Sequence, residues 1–152
     1  MTAFTYQWTN RCRLTMLAEE GRPLDLAAGD SFVARGVAAG DRVYVVVVNA
    51  GKLHLIGRMQ VARVCSRSEW EAANSAADLW PGEEVLIGTA GTPMRFHRTL
   101  PTAVLRQLRF QDRKGKVKPL NVDEHGWFDP QAVRSVRRLT PAAAGLLDAQ
   151  LG

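Results

Sequence analysis

The sequence has few cysteines, no long apolar run and no secretion signal, and each shortage excludes a class of protein. Its 152 residues include two cysteines, Cys12 and Cys65, too few for a disulfide framework or a cysteine-rich metal cluster. The longest apolar run covers residues 43–48, whereas a membrane-spanning helix needs roughly 20 apolar residues. No basic patch followed by an apolar stretch opens the chain, so a signal peptide is not expected. We therefore expect a cytoplasmic protein without membrane contact.

The signatures of common enzymes are also missing from the sequence. It contains no Gly-x-Ser-x-Gly elbow, no Gly-x-x-x-x-Gly-Lys-Ser/Thr loop and no Gly-x-Gly-x-x-Gly turn. His54 and His125 have no nearby set of Cys, His and Asp residues at metal-ligand spacing, so neither a metal nor a cofactor is predicted. No pair of carboxylates lies in a clearly apolar setting that would tune an acid and a base. The sequence favours a binding module over an enzyme.

What the sequence does have is an excess of positive charge at one end. The hydrophobic content of 46% and the charged content of 23% describe one ordinary globular domain over residues 1–152. The net charge is +5, and residues 95–152 carry 11 Lys or Arg against five Asp or Glu. Sixteen of the 20 basic residues are arginine, whose planar group binds phosphates and stacks on bases. The charge is compatible with nucleic-acid binding and also with a basic surface that binds nothing.

Several segments have the composition of strands: residues 5–9, 42–49, 53–64, 84–89, 94–98 and 119–122. The β-branched run Arg42–Asn49 is typical of a strand buried on both faces. Asn49-Ala50-Gly51-Lys52 predicts a hairpin turn, and Gly57 indicates a bulge in the return strand. Basic residues dominate segment 111–118, which is predicted to be an exposed loop.

Short helices are predicted between and after these strands. The capping box Ser68-Glu69-Trp70-Glu71 predicts a helix that starts after Ser68 and reaches about Leu79. Pro101 predicts a short helix to about residue 108, and Asp129-Pro130 and Thr140-Pro141 each predict a helix start. Strands with short helices at their connections indicate an α+β domain built on a small barrel.

The order of these elements resembles the PUA-like superfamily, and most closely its EVE branch, the relatives of YTH and ASCH domains. The matching residues are Trp8, Gly40-Asp41-Arg42-Val43-Tyr44, Ile56-Gly57 with Val61 and Val64, Arg98-Thr99-Leu100-Pro101 with Leu105 and Leu108, and Gly126-Trp127-Phe128. The resemblance covers nearly the whole chain. It implies a small PUA-like β-barrel with short helices inserted between strands, and a pocket beside the barrel that holds a flipped or modified base of DNA or RNA.

Such a pocket needs an aromatic wall and polar groups for the base edge. The candidates for the wall are Trp8, Phe32 and Trp80, and those for the base edge are Asn10, Arg35 and His97. Arg11 is a further candidate for nucleic-acid binding. A tryptophan on a predicted strand packs into a core more often than it binds a ligand, so both roles stay open for Trp8.

Two basic segments are the candidates for phosphate contacts. Strand alternation places Arg95 and His97 on one face, next to Arg98, although a basic strand face is usually only solvated. The basic loop contributes Arg113, Lys114, Lys116 and Lys118. These lysines and arginine are expected to add salt-dependent affinity that does not depend on base sequence.

Two alternatives to a nucleic-acid-binding module remain. ASCH-like relatives of the fold include hydrolytic members, which suggests a hydrolase or nuclease acting on RNA or nucleosides. The apolar helix over residues 142–151, with Leu146, Leu147 and Leu151, instead suggests a homodimer formed through the C-terminus.

Overall fold

The computed structural model describes residues 1–74 and 79–152. It is an α+β domain with one mixed sheet of eight strands. The strands are β1 (Ala3–Trp8), β2 (Leu26–Gly29), β3 (Arg42–Asn49), β4 (Lys52–Ser66), β5 (Glu84–Thr89), β6 (Arg109–Gln111), β7 (Val117–Pro119) and β8 (Val136–Leu139). The α-helices are α1 (Asn10–Met16), α2 (Arg67–Ala73), α3 (Thr102–Gln107) and α4 (Pro141–Leu151), and Leu17–Glu19 and Pro130–Val133 are 3₁₀ turns.

Strand β3 lies at the centre and is buried on both faces, as predicted. Val43, Val45 and Val47 pack into one hydrophobic cluster, which we call the first core. Tyr44 and Val46 pack into a cluster on the opposite face, the second core. Because successive side chains of a strand alternate between faces, one β-branched run supplies both cores.

The hairpin between β3 and β4 has the predicted turn and bulge. Asn49 pairs with Lys52, and the two residues between them adopt positive φ, 53° at Ala50 and 75° at Gly51. Such a two-residue turn matches the twist of the flanking strands. The β3–β4 register shifts between Val45 and Val46, where Gly57 lies opposite Val45. The extra residue on β4 is Ile56, so the bulge lies next to the predicted glycine.

The sheet curls around the first core. Its strand order is β2-β5-β4-β3-β1-β8-β6-β7, so β1 and β2 are four places apart. The Tyr6 hydroxyl of β1 nevertheless donates a hydrogen bond of 2.6 Å to the Ala28 carbonyl of β2. Trp80 Nε1 donates to the same carbonyl at 2.9 Å. Side chains thus bring β1 against β2, while backbone pairing among the described residues leaves β2 and β7 as edges.

The C-terminal helix α4 closes the second core. Thr140 accepts a hydrogen bond from Ala143 N and is the predicted N-cap. Leu147 is buried in the second core, and Leu146 and Leu151 pack against it. These leucines contact the chain's own core, and pairing of two copies through this helix stays a prediction.

A charged contact fixes the same helix to the sheet. Asp148 accepts hydrogen bonds from the Tyr44 hydroxyl at 2.5 Å and from Arg58 Nη1 at 2.6 Å. Burial, with the Asp148 carboxylate, raises the pKa of Tyr44 to about 12, so its hydroxyl stays protonated and donates. No α-helix within the described residues is long and apolar enough to cross a membrane.

The structure corrects three local predictions. Helix α2 is capped by Ser66, whose hydroxyl accepts from Glu69 N, because the overlapping pattern Ser66-Arg67-Ser68-Glu69 is also a capping box. The prediction that Ser68 caps the helix is therefore wrong. The helix ends at Ala73. Residues 75–78, which the prediction included in the helix, lie outside the described residues.

The other two corrections concern strands. Residues 94–98 are not a strand, because their pairing with β4 is limited to irregular bonds such as Arg95 N to Ile56 O and Leu55 N to Arg98 O. The predicted strand over residues 119–122 is displaced to Val117–Pro119, which pairs with β6. The predicted exposed loop over residues 111–118 is therefore shortened to a hairpin turn over residues 112–116, of which residues 113–116 are exposed.

Candidate nucleic-acid interface

A groove of about 900 Å³ runs between segment 34–36, strand β8 and the β6–β7 hairpin. Its cationic lining residues are Arg35, Arg113, Lys114, Lys118, Arg137 and Arg138. Within the described part of the chain, Asp112 is the one carboxylate that lines it. We call this surface the basic groove. Its charge attracts anions, since concave surfaces of one sign concentrate counter-ions.

The β6–β7 hairpin forms one wall of the basic groove, and Asp112 holds its turn in shape. Asp112 Oδ1 accepts hydrogen bonds from Lys114 N at 2.9 Å and Lys116 N at 2.8 Å. Gly115, between them, has a φ of 80°, which glycine adopts without steric cost. Asp112 Oδ2 also lies 3.8 Å from Lys118 Nζ. The single carboxylate of the groove is thus engaged by its own hairpin.

Arg137 is the most constrained cation of the basic groove. Its Nε donates to the Ala132 carbonyl at 3.3 Å and its Nη2 to the Gln131 carbonyl at 3.2 Å. Burial, followed by the positive charges of Arg35 and Arg134, lowers the pKa of Arg137. None of these three arginines forms a salt bridge with any residue of the described ranges 1–74 and 79–152. An anion bound beside Arg137 would offset the repulsion that the Arg35 and Arg134 charges exert on it.

Arg138 is held by an aromatic ring. Its guanidinium carbon lies 5.7 Å from the ring centroid of Phe4, a cation–π contact. Phe4 itself belongs to the first core. Arg137 and Arg138 are not among the residues predicted from the sequence, because no local pattern predicts a strand over residues 136–139. The only signal was the local density of arginine, Arg134, Arg137 and Arg138 within five positions.

A second cavity of about 470 Å³ adjoins the basic groove. Tyr6 and Trp80 give it an aromatic part, and Arg11 and Arg134 give it cations. Burial raises the pKa of Tyr6 above its ordinary value, so its hydroxyl stays protonated for the bond to Ala28. Aromatic and polar groups in one cavity are what base recognition requires.

Consecutive residues at the start of β8 line the two cavities. Ser135 lines the second cavity, and the next residue, Val136, lines the basic groove. The Ser31 and Ser135 hydroxyls lie 3.0 Å apart, which joins the segment before Arg35 to the segment before Arg137. The groove and the cavity are therefore neighbouring parts of one surface.

The predicted aromatic wall divides into one lining residue and two buried ones. Trp80 lines the second cavity and is 8% exposed. Trp8 and Phe32 are 1% and 0% exposed, and lie edge-on against Trp80 and Tyr6 with ring centroids 5.0 and 4.8 Å apart. Trp8 and Phe32 thus support the lining aromatics from behind and present no face to solvent in this structure.

The predicted polar and basic residues do not all come together. Arg35, Arg113, Lys114 and Lys118 come together in the basic groove, and Arg11 lines the second cavity. Asn10 is exposed at the start of α1, where its side chain accepts from Arg13 at 3.4 Å, and Lys116 is exposed in the hairpin turn outside the groove lining.

Arg95, His97 and Arg98 lie away from both cavities, along strand β4. Arg95 N donates to the Ile56 carbonyl, and the Arg98 carbonyl accepts from Leu55 N. Burial, followed by the charge of Arg95, lowers the pKa of Arg98. Strands β3 and β1 separate β4 from β8 in the sheet order. These three residues therefore form a basic surface distinct from the groove.

Within the described ranges, no three His, Cys, Asp or Glu side chains lie close enough together to hold a metal ion. The arrangement that stands out is electrostatic: a concave cationic groove beside a cavity with aromatic and polar lining. No protein-family model matches the sequence, and no match is found among curated proteins.

Proposed function

We propose that this chain is a nucleic-acid-binding module whose basic groove holds the phosphates of the backbone. The proposal rests on one observation: six cationic side chains line a single groove. Asp112, the one carboxylate that lines it in the described part of the chain, already accepts hydrogen bonds from its own hairpin turn. Lys and Arg contacts to phosphates release counter-ions and supply much of the affinity of nucleic-acid complexes. We place the module in the cytoplasm.

We further propose that the domain is a PUA-like module of the EVE type and that its second cavity receives a base, including a modified one. Two features support this. The curled sheet brings β1 against β2 around the first core, as a small barrel would. Trp80 and Tyr6 supply apolar surface and Arg11 supplies a donor in a cavity beside it. The base would enter this cavity, with Trp8 and Phe32 behind it.

Direct binding measurements test the proposed function. Fluorescence anisotropy with labelled DNA and RNA oligonucleotides, at several salt concentrations, is expected to show binding that weakens linearly in log Kd against log salt. The double substitution Lys114→Gln with Lys118→Gln removes two groove charges. We expect it to weaken binding at low salt about tenfold and to reduce the salt slope by roughly 1.4–1.8.

The matched control is Arg22→Gln with Arg63→Gln. Both arginines lie outside the basic groove, with side chains 46% and 56% exposed. This control changes the net charge by the same amount and is expected to retain nearly the full affinity and slope. Equal losses in the two double variants would refute the assignment of phosphate binding to the groove.

Asp112→Asn tests the groove from the opposite direction. The substitution removes the negative charge while an amide oxygen remains to accept from Lys114 N and Lys116 N. We expect nucleic-acid affinity at low salt to rise about three- to tenfold, because one like-charge repulsion with phosphate is lost. Thermal unfolding is measured in parallel. Unchanged or weaker binding by a folded Asp112→Asn variant contradicts the proposed phosphate path.

A further inference from the structure

We infer that the ligand of the basic groove is a single strand of nucleic acid, and that Arg35, Arg134 and Arg137 together hold one of its phosphates where the groove meets the second cavity. The inference rests on the proposed function and specifies its ligand class. It depends on the shape of the groove, on its continuity with the cavity and on the surroundings of Arg137.

The shape of the groove favours one strand over two. Its cations come from two walls, Arg35 in segment 34–36 and Arg113, Lys114 and Lys118 in the β6–β7 hairpin, with β8 between them. Cavities of roughly 300–1,000 Å³ enclose a drug-sized ligand, so a groove of about 900 Å³ encloses a few nucleotides. A double helix is convex and far wider than such a cavity. It would reach the outer cations and leave the inner ones unused.

The path of the strand follows from the junction at β8. Arg137 lines the basic groove and Arg134 lines the second cavity, three positions apart on either side of the junction. Arg35 lines the same groove as Arg137, and the charges of Arg35 and Arg134 both act on Arg137 and lower its pKa. A backbone that runs from the groove to the cavity passes these three guanidinium groups.

The chemistry at this junction suits a phosphodiester. Two backbone carbonyls hold the Arg137 guanidinium through Nε and Nη2, so its orientation is fixed before a ligand binds. Its Nη1 has no hydrogen-bond partner among residues 1–74 and 79–152. Arg35 is exposed, and Arg134 holds the Gln131 side chain at 3.3 Å. A preorganised arginine with two exposed arginines beside it binds a phosphate with several charge-assisted hydrogen bonds.

The test compares a labelled single strand with a labelled hairpin duplex of the same length and composition, as DNA and as RNA. We expect the wild-type protein to bind the single strand at least tenfold more tightly than the duplex. The variant Arg134→Gln with Arg137→Gln is expected to lose at least tenfold in single-strand affinity and to show a salt slope reduced by roughly 1.4. Arg22→Gln with Arg63→Gln is the control and is expected to behave like wild type.

A competition experiment distinguishes a site for the phosphate of a nucleic-acid strand from a site for a free anion. Inorganic phosphate at millimolar concentration is expected to compete weakly, because it makes none of the other groove contacts. Competition by inorganic phosphate as strong as that by the unlabelled strand would overturn the single-strand ligand. Circular dichroism and thermal unfolding establish that each variant is folded.

The remaining outcomes are distinguishable. Duplex binding as tight as single-strand binding overturns the inferred strandedness and leaves the proposed function standing. Single-strand binding that is insensitive to Arg134→Gln with Arg137→Gln overturns the arginine anchor. Failure of every oligonucleotide to bind wild-type protein overturns the proposed function itself and the inference with it.

Discussion

Replacement of Trp8 by alanine is expected to lower the free energy of unfolding by about 3–5 kcal/mol, the usual cost of deleting a buried aromatic side chain. Trp8 is 1% exposed in the first core and packs edge-on against Trp80, with 5.0 Å between ring centroids. Its removal leaves a cavity beside a residue that lines the second cavity. For a domain of 152 residues, each kcal/mol corresponds to roughly 2–4 °C in Tm, so a fall of about 10 °C is expected.

Trp8→Phe is the informative companion variant. Trp8 Nε1 is buried and has no hydrogen-bond partner in the described part of the chain. An unsatisfied buried donor costs about 1–3 kcal/mol, and phenylalanine removes that donor while keeping an aromatic ring. The smaller ring loses some packing, so the two effects oppose each other. We expect Trp8→Phe to unfold within about 1–2 kcal/mol of wild type.

Chemical denaturation of the three proteins decides between a core role and a ligand role for Trp8. A tryptophan that stacked on a base would be exposed before binding, and its replacement would spare stability and reduce base preference. If Trp8→Ala unfolds at the same denaturant concentration as wild type, the buried position described here is wrong. The same experiment with Phe32→Ala, at 0% exposure, is expected to give a loss of similar size.

The central hairpin was predictable because its signals are local. Six β-branched or aromatic residues in Arg42–Asn49, a turn over Asn49-Ala50-Gly51-Lys52 and a glycine at 57 determine the β3–β4 hairpin without help from the rest of the chain. The caps Asp129 and Thr140 are local in the same way, since each side chain accepts from a backbone N–H two or three residues later.

The elements that build the candidate interface are the ones that local patterns do not specify. Strand β8 has two adjacent arginines, Arg137 and Arg138, and is a strand because β1 and β6 pair with it from either side. Residues 94–98 show the reverse case. Met94 and Phe96 are buried and Arg95 and His97 exposed, which is the alternation of a strand, yet regular pairing with β4 does not form.

The tryptophans illustrate the same limit at the level of single side chains. Alternation correctly places Tyr6 and Trp8 on one face of β1, and that face points into the first core. Which aromatic lines a cavity depends on the curl that brings β1 against β2 through Tyr6, Trp80 and Ala28. That contact joins three parts of the chain that are distant in sequence, so the residue spacing within any one of them does not predict it.

Reversal of three groove charges is expected to produce the largest loss of binding. The triple variant Arg35→Glu, Arg113→Glu and Lys114→Glu replaces exposed side chains on both walls of the basic groove. Exposed substitutions usually change stability by less than about 0.5 kcal/mol each. Each reversal removes a proposed phosphate contact and adds a repulsion. We expect affinity near physiological salt to fall by about 100- to 1,000-fold, measured by anisotropy with the same single strand.

The control for this variant reverses Lys52, Arg63 and Arg95, so that both triple variants change the net charge from +5 to −1. Lys52 and Arg63 lie on β4, and the Arg95 backbone is hydrogen-bonded to β4. Strand β4 is three places from β8 in the sheet order. At about 4.8 Å per strand this is roughly 14 Å along the sheet, beyond the Debye length of about 8 Å at physiological salt. The control is therefore expected to lose less than about tenfold in affinity. Equal losses would mean that net charge, and not the groove, governs binding, and the Arg95 surface would then be as strong a candidate as the groove.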